Sequence, residues 1–290
     1  MVLPVCKSCS SDDRKKRRFL CDKMNPTDGM IARCVHRESF IKLNLLKYYL
    51  DIFDKAINKN DKFRNKYFID LFAGPGLCFN KDTEEFGKGS SLLSLDIKFL
   101  FTDYIFVDLD IETTKTLEKR CAIQCPSLID RVRHLNLNSN ESIDEITNYI
   151  NFNNSIALVF IDPNGLDIHF STIKKLSQCR GIDLIINFGI LDLKRNEANY
   201  MKGNEKANLF FGCEDWPEDH FKWLPFYKER LRTLGFKAIE DDSDITTVIK
   251  GRTNAPIYYL IYASKHNLGL RFWRQAKKYV LKPFDLFNEK

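Results

Sequence analysis

Apolar positions along the chain follow two rhythms. Phe40, Leu43, Leu46, Leu50 and Phe53 recur at helical spacing, which predicts an amphipathic helix over 39–57. The short unbroken run at 67–71 predicts a buried strand. Further strands are predicted at 104–107, 131–135, 156–161 and 183–188, with one helix N-capped by Ser90 and others spanning 111–124, 141–152 and 168–178. Strand and helix in regular alternation predict an α/β fold built on a doubly wound, mostly parallel sheet. Between Leu77 and Gly89 the residues are charged and glycine-rich, and a loop is expected. Past Phe188 the rhythm changes. Residues 192–211 are polar and helical with no strand attached, and another helix is predicted at 221–234, so a helical insertion or lid is expected at about 192–234. Strands rich in Ile, Val and Tyr between Phe236 and Ala263 are expected to close the sheet as a terminal hairpin. Residues 1–37 form a candidate separate segment, and 38–290 the α/β domain.

Composition adds little to that picture, but charge does. No apolar run is long enough to span a bilayer, no secretory pattern opens the chain, and nine cysteines scattered mostly through apolar segments suggest a reduced compartment, so a cytoplasmic protein is expected. The net charge of +6 is unevenly spread: residues 1–37 carry +5 and residues 250–290 carry +7. Basic ends on an acidic body suggest a polyanion such as RNA or DNA as partner.

Strand ends carry the candidate chemistry. Asp70-Leu-Phe72-Ala-Gly74-Pro-Gly76 follows the first strand, and glycines there let a ligand approach the backbone. Asp108, after the second strand, stands where a carboxylate accepts ribose hydroxyls, and Asn136 or Asn138 follows the third. A dinucleotide fingerprint needs a helix directly after its glycines, whereas here the helix waits until about Ser90. S-adenosylmethionine, with a ribose and an amino-acid part, fits better, with Asp70, Phe72, Gly74, Gly76, Asp108 and Asn136 as its candidate contacts.

Six segments, 70–76, 87–91 (Gly-Lys-Gly-Ser-Ser), 160–166 (Phe-Ile-Asp-Pro-Asn-Gly-Leu), 185–188, 210–216 and 258–266, resemble those of the three-Cys-motif partner (TcmP) proteins. The resemblance runs from about His36 to Trp273 and implies a class I methyltransferase-like Rossmann fold and a partner protein encoded nearby. Asp162-Pro163-Asn164-Gly165 resembles the fourth motif of amino-methyltransferases, in which the acid and a backbone carbonyl orient an exocyclic amine. Asp162, Pro163 and Asn164 are therefore the candidate catalytic residues. Asn164 stands where that motif has an aromatic ring; Phe170 or Phe188 is a candidate replacement.

In the amino-terminal segment, Cys6 and Cys9 are spaced for one tetrahedral metal, and Cys21 and Cys34 would complete a structural zinc site around the basic run Arg14–Arg18. The expected function is methylation of an amine on a nucleic acid. Two alternatives are a catalytically silent nucleic-acid-binding adaptor and a metal-dependent nuclease using Asp70, Asp108 and Asp162.

Overall fold

The computed structural model describes residues 20–21, 26–58, 63–98, 101–150, 154–200, 205–240, 246–250 and 255–285. After strands β1 (Leu20–Cys21) and β2 (Ala32–Val35), the long helix α1 (Arg37–Asn58) leads into β3 (Asn65–Asp70). A hairpin of β4 (Leu77–Asn80) and β5 (Glu85–Lys88) precedes α2 (Ser90–Leu95), β6 (Asp103–Val107), α3 (Ile111–Gln124) and β7 (Val132–Leu135). Next come α4 (Ser142–Tyr149), β8 (Ser155–Ile161), α5 (Phe170–Leu176) and β9 (Ile182–Phe188). Short helices α6 (Ile190–Arg195), α7 (Glu197–Tyr200) and α8 (Glu205–Phe211) lead to α9 (Trp223–Thr233). The chain continues with β10 (Ala238–Ile239), β11 (Thr246–Lys250), β12 (Ala255–Ser264) and α10 (Asn267–Asp285).

The main sheet has the order β10-β12-β9-β8-β3-β6-β7, with β11 also on β12. Strands β9, β8, β3, β6 and β7 are parallel, and β12 runs against β9. β10 and β11 lie end to end along the other edge of β12, so the expected terminal hairpin has an interrupted outer strand. Strand order reverses at β3, whose neighbours are β6 and β8. That reversal opens a crevice beyond the carboxyl ends of these strands.

Alternation along the central strands sorts side chains into two layers. Ile69, Val159 and Ile161 pack on one face with α4, α5, α8 and α9, while Phe68, Leu158, Phe160 and Ile185 pack on the other with α1, α2, α3 and α10. The same parity sends Asp70, Asp162 and Asn187 toward the α1 layer. The insertion after β9 is packed: Phe188, Phe210 and Tyr227 are fully buried, and the last two stack with ring centroids 4.8 Å apart.

The charged stretch expected as a loop is instead the β4–β5 hairpin, which joins β2 and β1 in a second sheet of order β1-β2-β4-β5. Its isolated strands are too short for period-2 alternation to show in the sequence. Arg120 on α3, fully buried, fastens this sheet to the body: it bonds both carboxylate oxygens of Asp28 and donates to the carbonyls of Ile31 and Pro75. Gly89, rather than Ser90, is the N-cap of α2. The helix α10, which packs on α1, has no counterpart among the predicted elements. No helix among the described residues is long and apolar enough to cross a membrane.

Candidate functional site

The two glycines after β3 do different work. Gly74 has φ +63° and nothing within 4 Å of where a Cβ would sit, so its outer side is open to a ligand. Gly76 has φ +87°, and a Cβ there would meet Leu117 at 2.9 Å, so its need is internal packing. Gly89 N donates to the Gly76 carbonyl at 2.7 Å and Ser91 Oγ to that of Ala73 at 3.1 Å. The helix delayed in sequence therefore returns to the turn in space, and the hairpin is an excursion between the two.

Around this turn lies a crevice of about 400 Å³, lined by Arg33, Phe72, Gly74, Asp108, Leu109, Asn138 and Asn164 among others. That volume falls in the range of small-molecule sites. Asp108 accepts from Gly74 N at 3.0 Å and from Asp110 N at 2.9 Å, one bond to each carboxylate oxygen. Each oxygen keeps a lone pair for a hydroxyl donor. Burial pushes the Asp108 carboxyl up, against these backbone bonds and the nearby charge of Arg33. Asn136 is not on the crevice wall: its amide donates to the carbonyls of Asp108 and Leu109, and it borders a second concavity at the β7 edge. Asn138 takes the place on the wall.

Asp70 is fully buried beneath the turn. Its Oδ1 accepts from Phe72 N at 3.1 Å, while Oδ2 has no partner of good geometry. Burial raises this carboxyl to about 7, only partly countered by the Ser90 hydroxyl and the Phe72 amide.

Asp162 is held by two side chains to which the sequence assigned no role, Asn187 lying within the 185–188 segment and Lys42 in none of the motifs. Lys42 of α1 donates to Oδ2 at 2.5 Å, and Asn187 of β9 donates through Nδ2 to Oδ1 at 2.7 Å. Burial works to raise the carboxyl, but Lys42, Arg33 and Asn187 together outweigh it, and Asp162 is held below its ordinary range. Asn187 Oδ1 is buried without a partner. Pro163 is buried and Asn164 exposed. Neither Phe170 nor Phe188 is available to stack on a base, since both are buried in the helix layer opposite α1.

The three acids of the nuclease alternative do not gather. Among the described residues, the only group with donor atoms close enough to share an ion is His36, Glu38 and Asp82. There Asp82 already accepts from the Arg37 amide and faces the His36 ring, as a bracket on the first turn of α1. Of the proposed zinc ligands, Cys6 and Cys9 lie outside the described residues. Cys21 is paired in backbone register with Ala32, two residues before Cys34 on β2. Cys34 is buried beside Phe79 and Phe86.

No family model and no curated protein matches the chain. Solved structures do. LPL1258 from Legionella pneumophila, of the family designated DUF519, is 9% identical with a TM-score of 0.52, over 82% of this chain and 91% of that one. The methyltransferase domain of bacterial CtHen1-C is 14% identical with a TM-score of 0.39, over 77% and 100% of the two chains. The N-terminal domain of human METTL16 in complex with SAH is 13% identical with a TM-score of 0.42, over 74% and 67%. The likeness to LPL1258 supports a doubly wound, Rossmann-like α/β fold, in which the antiparallel β12 and its outer strand close an otherwise parallel sheet.

Proposed function

We propose that this protein is an S-adenosylmethionine-dependent methyltransferase acting on an amine of a nucleic acid, RNA or DNA. The observation that carries the reading is the open face of Gly74 beside Asp108, whose carboxylate is aimed by the Gly74 amide at the sheet's switch point. Asp108 would hold the ribose hydroxyls, Leu109, 57% exposed on the same wall, would cover a base, and Phe72 and Asn138 would complete the pocket. When bound, S-adenosylmethionine supplies an electrophilic methyl group on a sulfonium. Asp162 and the Pro163 carbonyl would accept the two amine protons, and Asn187 Oδ1 offers a further buried acceptor. Lys42 keeps Asp162 ionised for that task. Catalysis on this arrangement is chiefly positioning. The six motifs that resemble TcmP proteins belong to the same reading, as do a partner protein and a cytoplasmic setting.

Nucleic acid is favoured by a basic, aromatic surface on the α1–α10 pair. Exposed Lys47 and Lys278 flank Tyr48 and Tyr279, whose rings stack 6.1 Å apart. Because β12 runs against the parallel strands, α10 travels back toward the carboxyl edge of the sheet, where the first turns of α1 carry Lys42.

Calorimetric titration of the full chain with S-adenosylhomocysteine tests the proposal. Binding that is lost in Asp108→Ala is expected; no heat at millimolar ligand refutes it. One observation favours the adaptor reading: Lys42 already occupies the oxygen that an acceptor amine would use. Salt-sensitive RNA binding that persists in Asp162→Ala, with no cofactor bound by the wild type, would decide for it. We also propose a structural zinc ion on Cys6, Cys9, Cys21 and Cys34, a thiolate set suited to that metal. Metal analysis of the purified chain should find zinc at one equivalent, lost in a Cys6→Ser/Cys9→Ser variant; metal-free wild-type protein would remove the site.

A further inference from the structure

Among the described residues, Arg33 is the one member of the second sheet on the crevice wall. On β2 it alternates with buried Ala32 and Cys34, so its side chain leaves the sheet on the opposite face. Its Nη2 donates to Asn164 Oδ1 at 2.5 Å. Among the described residues no carboxylate stands within ion-pair distance of it, although the guanidinium has five N–H donors. The other cation on the wall, Lys206, is committed to Asp167 at 3.2 Å. The remaining charges there are the acids Asp108, Asp110 and Asp167. A ligand carboxylate entering this crevice would meet three like charges, a lysine paired with one of them, and a guanidinium that no carboxylate engages.

We infer that Arg33 is a carboxylate-binding residue that reads the amino-acid end of the cofactor, with Asn164 as its resting partner. The inference rests on the proposed S-adenosylmethionine site. A neutral amide is a weaker acceptor than a carboxylate, and a carboxylate can take two of the fork's N–H groups at once. Binding would therefore exchange the Asn164 bond for a bidentate one. It would also free the Asn164 side chain at the position where the related motif carries its base-facing ring. The second sheet, through β2, thus becomes part of the cofactor site, and Arg120 is what holds that sheet in place.

The test compares two ligands that share adenine, ribose and thioether sulfur. S-adenosylhomocysteine carries the amino-acid carboxylate, whereas 5′-methylthioadenosine lacks it. For the full-length chain, Arg33→Gln is expected to weaken S-adenosylhomocysteine about tenfold or more, while 5′-methylthioadenosine stays within about twofold. Retained binding of the smaller ligand reports that the crevice is intact. Arg33→Lys should fall between wild type and Arg33→Gln. Asn164→Ala, which removes the resting partner, should bind S-adenosylhomocysteine at least as tightly as wild type. Unchanged S-adenosylhomocysteine affinity in Arg33→Gln overturns the inference, and so does an equal loss for both ligands or a comparable loss in Asn164→Ala. Failure of the wild type to bind either ligand is a separate result that defeats the cofactor reading itself.

Discussion

Asp70 and Asp162 end neighbouring strands, face the same layer, and titrate in opposite directions. For Asp70 burial outweighs the nearby Ser90 hydroxyl and the Phe72 amide, one oxygen has no partner of good geometry, and the carboxyl rises to about 7. Asp162 has burial too, but an ammonium and a side-chain amide are placed on its two oxygens, and its carboxyl falls. Burial alone penalises the charged form, and only partners reverse the penalty. The fold thus holds one acid half protonated near pH 7 beneath the Gly74 turn and keeps the other ionised at the end of β8. A positioning acid for an amine belongs in the second class.

The sharpest way to break this contrast is to remove the partner of Asp162. Lys42 has a side chain 8% exposed and Asp162 one 24% exposed, so the pair is largely shielded. Lys42→Met strands the carboxylate and should destabilise the protein by about 3 kcal/mol, read by urea unfolding at neutral pH. Adding Asp162→Asn should recover part of that loss, because the stranded charge disappears. A single variant as stable as wild type, or a double variant no better than the single, would show that the two do not form an energetic unit. The pH signature has a definite sign. Stability from Asp162 is present above the ordinary carboxylate range and is lost as pH falls through its depressed folded value.

How much of this was legible varies with the distance between cause and effect. The main sheet was readable because each strand is a short apolar run set between helical repeats, a local signal. The positions of Gly74 and Asp108 after strand ends followed from the same alternation. Lys42 acts on a residue 120 positions away, which no local pattern reports. A signal for it nonetheless exists: Lys42 lies three, four, seven and eleven residues before Leu45, Leu46, Tyr49 and Phe53, on the buried stripe of α1, where a lysine needs a partner. Asn187 is similar, since parity with Ile185 places it in the α1 layer. Arg33 was hidden for another reason. Its strand pairs with β4 inside a charged, glycine-bearing stretch that reads as loop, so nothing in the sequence ties the amino-terminal segment to the crevice.

A subtler probe addresses the other acid. In the unfolded chain Asp70 releases its proton near its ordinary value of 3.8, while in the folded protein it holds the proton until about pH 7. Between those values the native state binds more protons than the unfolded state, so rising pH favours unfolding through this group. The total effect is on the order of 2–4 kcal/mol, developed from about pH 4 to pH 7 and constant above. Asp70→Asn keeps an oxygen for the Phe72 amide and removes the titration. Its stability relative to wild type should therefore grow across that window, which urea melts at about pH 4.5, 6 and 7.5 would resolve. A constant difference between the two proteins at all three would mean that Asp70 titrates like an ordinary carboxylate. Asp70 and Asp162 would then not be opposites, and the raised carboxyl beneath the Gly74 turn would have to be given up.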